Sequence, residues 1–211
     1  GTITFADSTT DTTVAGSTLG ASGVGILNAV NLGAGTGATA TLAGVVYATN
    51  INTNGVGTVH FADDVNGIVT FAEAAVEGFI TVAEDKKIVG AIANAGTNTG
   101  TITFANSATD TTVASTTIGA SGAGVLKAVN LGADTGATAT VGGVVYATNI
   151  KTNGVGTVHF AGDVNGIVTF DGEDGFITVA ADKKIVGVIA TAATNTGTIT
   201  FANSATDTTV A

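Results

Sequence analysis

Short stretches of this chain alternate apolar and polar side chains. Ile3 and Phe5 are set against Thr2 and Thr4, the period of two expected of a half-buried strand. Runs of the same size and grain follow: TATL (39–42), VVYAT (45–49), TVHF (58–61), IVTF (68–71) and FITVA (79–83). All are rich in β-branched and aromatic residues, which favour a pleated surface. Gly, Asn, Asp and Ser fill the intervals. Asn54-Gly55, Asn66-Gly67, Asn153-Gly154 and Asn165-Gly166 read as turn dipeptides, because both residue types accept positive φ cheaply. The nearest thing to a helical pattern is DKKIVGAIANAG (85–96), and its Gly and β-branched residues argue against a helix.

This pattern is written twice and begun a third time. TITFADSTTDTTVA opens at Thr2, and close copies open at Thr101 and Thr198, 99 and then 97 residues further on. The organisation is therefore copy 1 over 1–100, copy 2 over 101–197 and the start of a third copy over 198–211, which is expected to belong to a longer protein. The one length change turns FAEAAVEGF (71–79) into FDGEDGF (170–176), a loss of two residues that predicts an exposed loop. Leu19/Ile118, Ile26/Val125, Leu42/Val141 and Val24/Ala123 stay apolar between copies and are expected to face inward. Asn28/Lys127, Asn52/Lys151, Asp63/Gly162 and Glu84/Ala181 exchange polar, charged and small residues and are expected to face solvent.

Strand-sized runs about every ten residues place the chain in the all-β class. Two architectures fit. In a β-solenoid, of the parallel β-helix kind, coils stack and bury a thin core of small apolar side chains. Alternatively, each copy folds as an immunoglobulin-like sandwich, whose usual size is near 100 residues. Three features favour the solenoid. Two Tyr, nine Phe and no Trp make thin filling for two sandwich cores. No Pro or polar linker parts the copies. Shorter echoes occur inside the unit, with TNGVGTVHFADD (53–64) resembling TNTGTITFANSA (97–108). Coils of roughly 20 residues, about five per copy, would rise on the order of 24 Å per copy.

Composition removes whole classes of function. A net charge of −10, with six Lys and no Arg, leaves no basic face for nucleic acid or for an anionic membrane. No run approaches the roughly 18 apolar residues of a membrane-spanning helix, so membrane insertion by this segment is not expected. The absence of Cys excludes disulfides, thiolate metal sites and thiol nucleophiles.

Candidate chemistry is sparse. The acidic groups Asp63, Asp64, Asp171, Glu173 and Asp174 could offer oxygen ligands to Ca2+, but neither an EF-hand loop nor a tandem calcium-binding solenoid motif is present, and a solvated acidic face explains them. His60 and His159 hold equivalent places in the two copies and would form a metal-binding or pH-sensing ladder if they stacked; a surface strand histidine is the plainer reading. GASGVG (20–25) and GASGAG (119–124) lack the flanking strand, helix and Lys of a phosphate cradle. Thr-x-Thr pairs at Thr2/Thr4, Thr39/Thr41, Thr101/Thr103 and Thr138/Thr140 would suit an ice-binding solenoid if stacked, but they are unevenly spaced along the sequence. With many hydroxyls and only those two His, no catalytic grouping can be assembled; neither an enzyme nor a cofactor is expected.

The phrases GTVHFADDVNGIVTF and GTVHFAGDVNGIVTF, with TNTGTITFANSATDTTV, resemble passenger-domain repeats of rickettsial-type outer-membrane surface antigens, of the autotransporter class. The resemblance implies an exported β-helical passenger, held at the bacterial surface by a C-terminal barrel and serving adhesion or a protein coat. The expected function is therefore a non-catalytic structural segment of an extracellular, cell-surface protein. Its partners would be host or neighbouring-cell surface proteins. The alternative is self-association into an extracellular filament or surface layer.

Overall fold

The computed structural model describes residues 1–171, 174–194 and 196–204. They form a β-solenoid of parallel strands with about eight turns, each coil having three sides. Ile3, Val30, Ile51, Val69, Ile92, Ile118, Val145, Val164 and Ile185 stack one above the next on the first side. The second side carries Thr12, Ala40, Val59, Ile80, Ile102, Val129, Ile150, Val168 and Ile189. Leu19, Val46, Val65, Ile88, Ala114, Val141, Phe160, Val179 and Phe201 make the third. The short alternating runs are single sides, with the apolar set turned in. Thr58–Phe61, for example, buries Val59 and Phe61 and leaves Thr58 and His60 half-covered.

Coil length is not constant. Along the first side a step takes 27 residues from Ile3 to Val30 but only 18 from Ile51 to Val69. The variation is absorbed at the corners, from wide turns with a 3-10 segment such as Gly23–Gly25 to bends taken without leaving the strand. Val46–Asn54 and Val65–Phe71 each supply the third side of one coil and the first side of the next. Their shared bend needs glycine. At Gly67, φ is +150 and a Cβ would lie 1.9 Å from the carbonyl oxygen of Ala48. Gly90 sits directly on Gly67, where a Cβ would meet that residue's oxygen at 2.2 Å. Asn66-Gly67 is thus a corner inside a strand, not the free turn its composition predicts, whereas Gly55, at φ +83, does sit in a turn.

The stack runs unbroken from copy to copy. Thr101, Ile102, Thr103 and Phe104 pair with Phe79, Ile80, Thr81 and Val82, and Lys127 reaches back to Glu77 at 2.6 Å. This rules out the sandwich alternative, because no antiparallel pair occurs among the described strands. From Ile3 to its counterpart Ile102 the chain crosses thirteen sides, which is four coils and one side over, not the five coils the sequence suggests. Ile3 accordingly lies on the first side, Ile102 on the second and Ile199 on the third. Each copy is turned by one side relative to its predecessor, and its rise is roughly 21 Å at the usual strand spacing.

The core is a narrow prism of Ala, Val, Ile and Leu, with Phe61, Phe104 and Phe160 fully buried. Ile118, Leu42 and Val141 face it as expected. Val24 and Ile26 do not: they ride on the 3-10 turn and are exposed. The 85–96 segment contributes the strands Ile88–Val89 and Ile92–Asn94. The extra-length segment 72–78 is a turn with Glu73, Ala74 and Ala75 exposed.

Candidate functional site

Asp11, Asp63, Asp64, Asp110, Asp171 and Asp174 are taken up in joining coils. Asp11 accepts the backbone N–H of Thr39 at 2.8 Å, and its counterpart Asp110 accepts that of Thr138 at the same distance. Asp63 meets the Lys86 ammonium at 3.0 Å, which, with the N–H of Asp64, holds its carboxyl below the ordinary carboxylate range. Asp64 accepts the N–H of Lys87 at 3.2 Å and has that residue's ammonium 3.9 Å away. Asp171 lies 3.3 Å from Lys151, and Asp174 accepts the N–H of Gly197 at 3.2 Å. Glu173 lies outside the described residues. Among those described, no three His, Asp or Glu converge as a metal site would require.

Hydroxyls, by contrast, do converge. On the second side, Thr13, Thr41, His60, Thr81 and Thr103 stand in register on five successive coils. Two residues earlier on the last four of these strands, Thr39, Thr58, Phe79 and Thr101 form a parallel row, and Asp11 holds that place before Thr13. Copy 2 repeats the array one side over, with Thr112, Thr140, His159, Thr178 and Thr200 beside Thr138, Thr157, Phe176 and Thr198. His60 Nδ1 hydrogen-bonds Thr81 Oγ1 at 2.8 Å, and His159 Nδ1 does the same to Thr178 Oγ1. Each bond fixes its ring on the strip. The two histidines stand on different sides of the prism and form no ladder with each other.

Nine outward positions, seven from one copy and the first two Thr of the next, thus make a flat strip of Thr hydroxyls and methyls around one imidazole and one phenyl ring. Phe79 is 38% exposed and Phe176 48%, high for rings with a core beside them. Sequence reading singles out Thr39/Thr41, Thr101/Thr103 and Thr138/Thr140 but sets their stacking aside as too unevenly spaced, and it misses that His60 and Phe79 join them, because unequal corners disguise the register. Thr13 to Thr41 takes 28 residues and Thr41 to His60 only 19.

A second surface feature is a shallow apolar cleft at the corner between the third and first sides, lined by Ile26, Tyr47, Ile68, Val89 and the stacked Gly67 and Gly90. No described helix is long and apolar enough to cross a membrane. Comparison with protein-family models, with curated proteins and with solved structures found no match.

Proposed function

We propose that this chain is a structural repeat segment of a bacterial cell-surface protein, an adhesin-like or coat-forming passenger without catalytic activity. The observation that supports it best is the unbroken pairing of Thr101–Phe104 on Phe79–Val82. Copies joined in this way lengthen one stiff rod, so adding copies extends reach without adding hinges. Surfaces on such a rod are its flanks, suited to holding a contact at a distance. Beads coated with the chain are expected to be retained on host or neighbouring cells above beads coated with an inert protein of equal charge. Equal retention would remove the adhesin reading.

A self-assembling subunit of an extracellular filament or surface layer is the second reading. The same copy-to-copy junction favours it, because a stacking surface that joins copies within one chain also suits joining chains. Sedimentation separates the two, the first requiring monomers and the second a concentration-dependent series.

A further inference from the structure

We infer that the Thr–His–Phe strip of each copy is a binding surface for a neutral oligosaccharide lying along the solenoid axis. This deepens the adhesin reading by naming a class of ligand, and it stands on three observations. First, all nine strip positions are identical in the two copies, Thr13 to Thr103 matching Thr112 to Thr200. Solvent-facing positions elsewhere on the solenoid have drifted over the same interval, as in Asn28/Lys127, Asn52/Lys151, Asp63/Gly162 and Glu84/Ala181. β-propensity alone would be met by Val or Ile at any of these places and would not hold a half-exposed phenyl ring twice.

Second, the strip is uncharged. No Asp, Glu or Lys stands among the nine positions in a chain carrying −10; the carboxylate at the end of the shorter row, Asp11 in copy 1 and Asp110 in copy 2, is engaged by the N–H of Thr39 or Thr138, so an ionic partner gains little there. A sugar ring offers what such a surface accepts, with C–H faces to lie against Phe79 or Phe176 and hydroxyls to exchange hydrogen bonds with Thr58, Thr101 and the outer nitrogen of His60. His60 is already oriented by Thr81, which lowers the cost of ordering it on binding.

Third, size argues against a protein partner. Five coils by one strand side span about 24 Å by 13 Å, on the order of 300 Å². A stable protein interface needs about 800 Å² from each partner. An oligosaccharide of several residues covers the strip, and the lack of a concave wall keeps affinity in about the millimolar range.

The test is NMR titration of the whole chain with linear neutral hexasaccharides (glucan, mannan and galactan) and, beside them, an acidic hexasaccharide. A neutral hexasaccharide is expected to shift signals of His60, Thr81, His159 and Thr178, and the Phe79→Ala/Phe176→Ala double variant to weaken binding at least tenfold while its melting point, lowered by the lost cross-strand packing, stays above the titration temperature. The inference is overturned if no neutral hexasaccharide moves these signals, if only the acidic one does, or if the strip halts ice-crystal growth and takes up no sugar. Because no cells are involved, bead retention with no sugar binding would sink this inference alone, and sugar binding with no retention would sink only the adhesin reading.

Discussion

Asn52 donates its side-chain amide to Oδ1 of Asn31 on the preceding coil at 2.9 Å, and Asn31 donates in turn to Thr4 Oγ1 at 3.0 Å. Copy 2 keeps the lower half of this chain of bonds, with Asn130 donating to Thr103 at 2.9 Å. In place of Asn52 it has Lys151, whose ammonium turns away to Asp171. Oδ1 of Asn130 is left buried without a partner.

Restoring the missing amide with Lys151→Asn is expected to stabilise the solenoid by about 0.5–1.5 kcal/mol, the net worth of one such bond. The exposed Lys151–Asp171 pair given up in exchange is worth about 0–1 kcal/mol. Asn52→Lys should cost copy 1 a similar amount. Urea midpoints of the two variants measured side by side check both signs, and equal midpoints would mean the orphaned oxygen finds water.

At the copy junction, Ile102 is fully buried and paired with Ile80. Ile102→Ala should destabilise by about 2–5 kcal/mol, the range for emptying a packed site. Since the stack has no domain boundary there, the loss should lower hydrogen-exchange protection on both sides of residue 101. Loss confined to one copy would show two independent folding units.

The corner at Gly67 separates close approach from mere dihedral preference. Gly37 has φ +75 with open space around its Cβ position, whereas a Cβ at Gly67 would lie 1.9 Å from the Ala48 oxygen. Gly37→Ala should cost about 1–2 kcal/mol for the left-handed backbone. Gly67→Ala must also push two coils apart and should exceed that cost clearly in thermal melts.

Acid should weaken the fold in a predictable place. Asp85 is held below the ordinary carboxylate range by the N–H of Thr109, with Thr111 Oγ1 adding to it, and Asp63 is lowered by Lys86 and the N–H of Asp64. Both pKa values are lower folded than unfolded, so the unfolded chain takes up protons first. Their contribution is present above about pH 4 and is lost as pH falls through the folded values. Lys86 is raised by Asp63, and its share persists until pH climbs past the ordinary lysine value of about 10.4. Urea midpoints across pH 2–7 should fall less steeply in Asp85→Asn than in the parent chain.

Strand positions and the solenoid were legible from sequence because a period of two, β-branched residues and punctuating Gly and Asn all act locally. TVHF and FITVA fall on the strands Thr58–Phe61 and Phe79–Val82. What stacks on what was not legible, since it depends on how many residues each corner consumes. The strip that joins Thr41, His60 and Thr81 is invisible in a chain read at one fixed coil length. Val24 and Ile26 misled for a related reason: an apolar exchange between copies resembles core drift, but here it happens on a turn that projects outward. Asn66-Gly67 carries a turn signal because its glycine is required, although the requirement is contact with the coil below.

The one-side offset between copies has an optical analogue in the stripe of a barber's pole. Three units make thirteen coils, so a given side chain faces the same direction again only after roughly 63 Å. A flat wall laid along a long array would touch one unit in three, while neighbours arriving from all directions would each meet the same features.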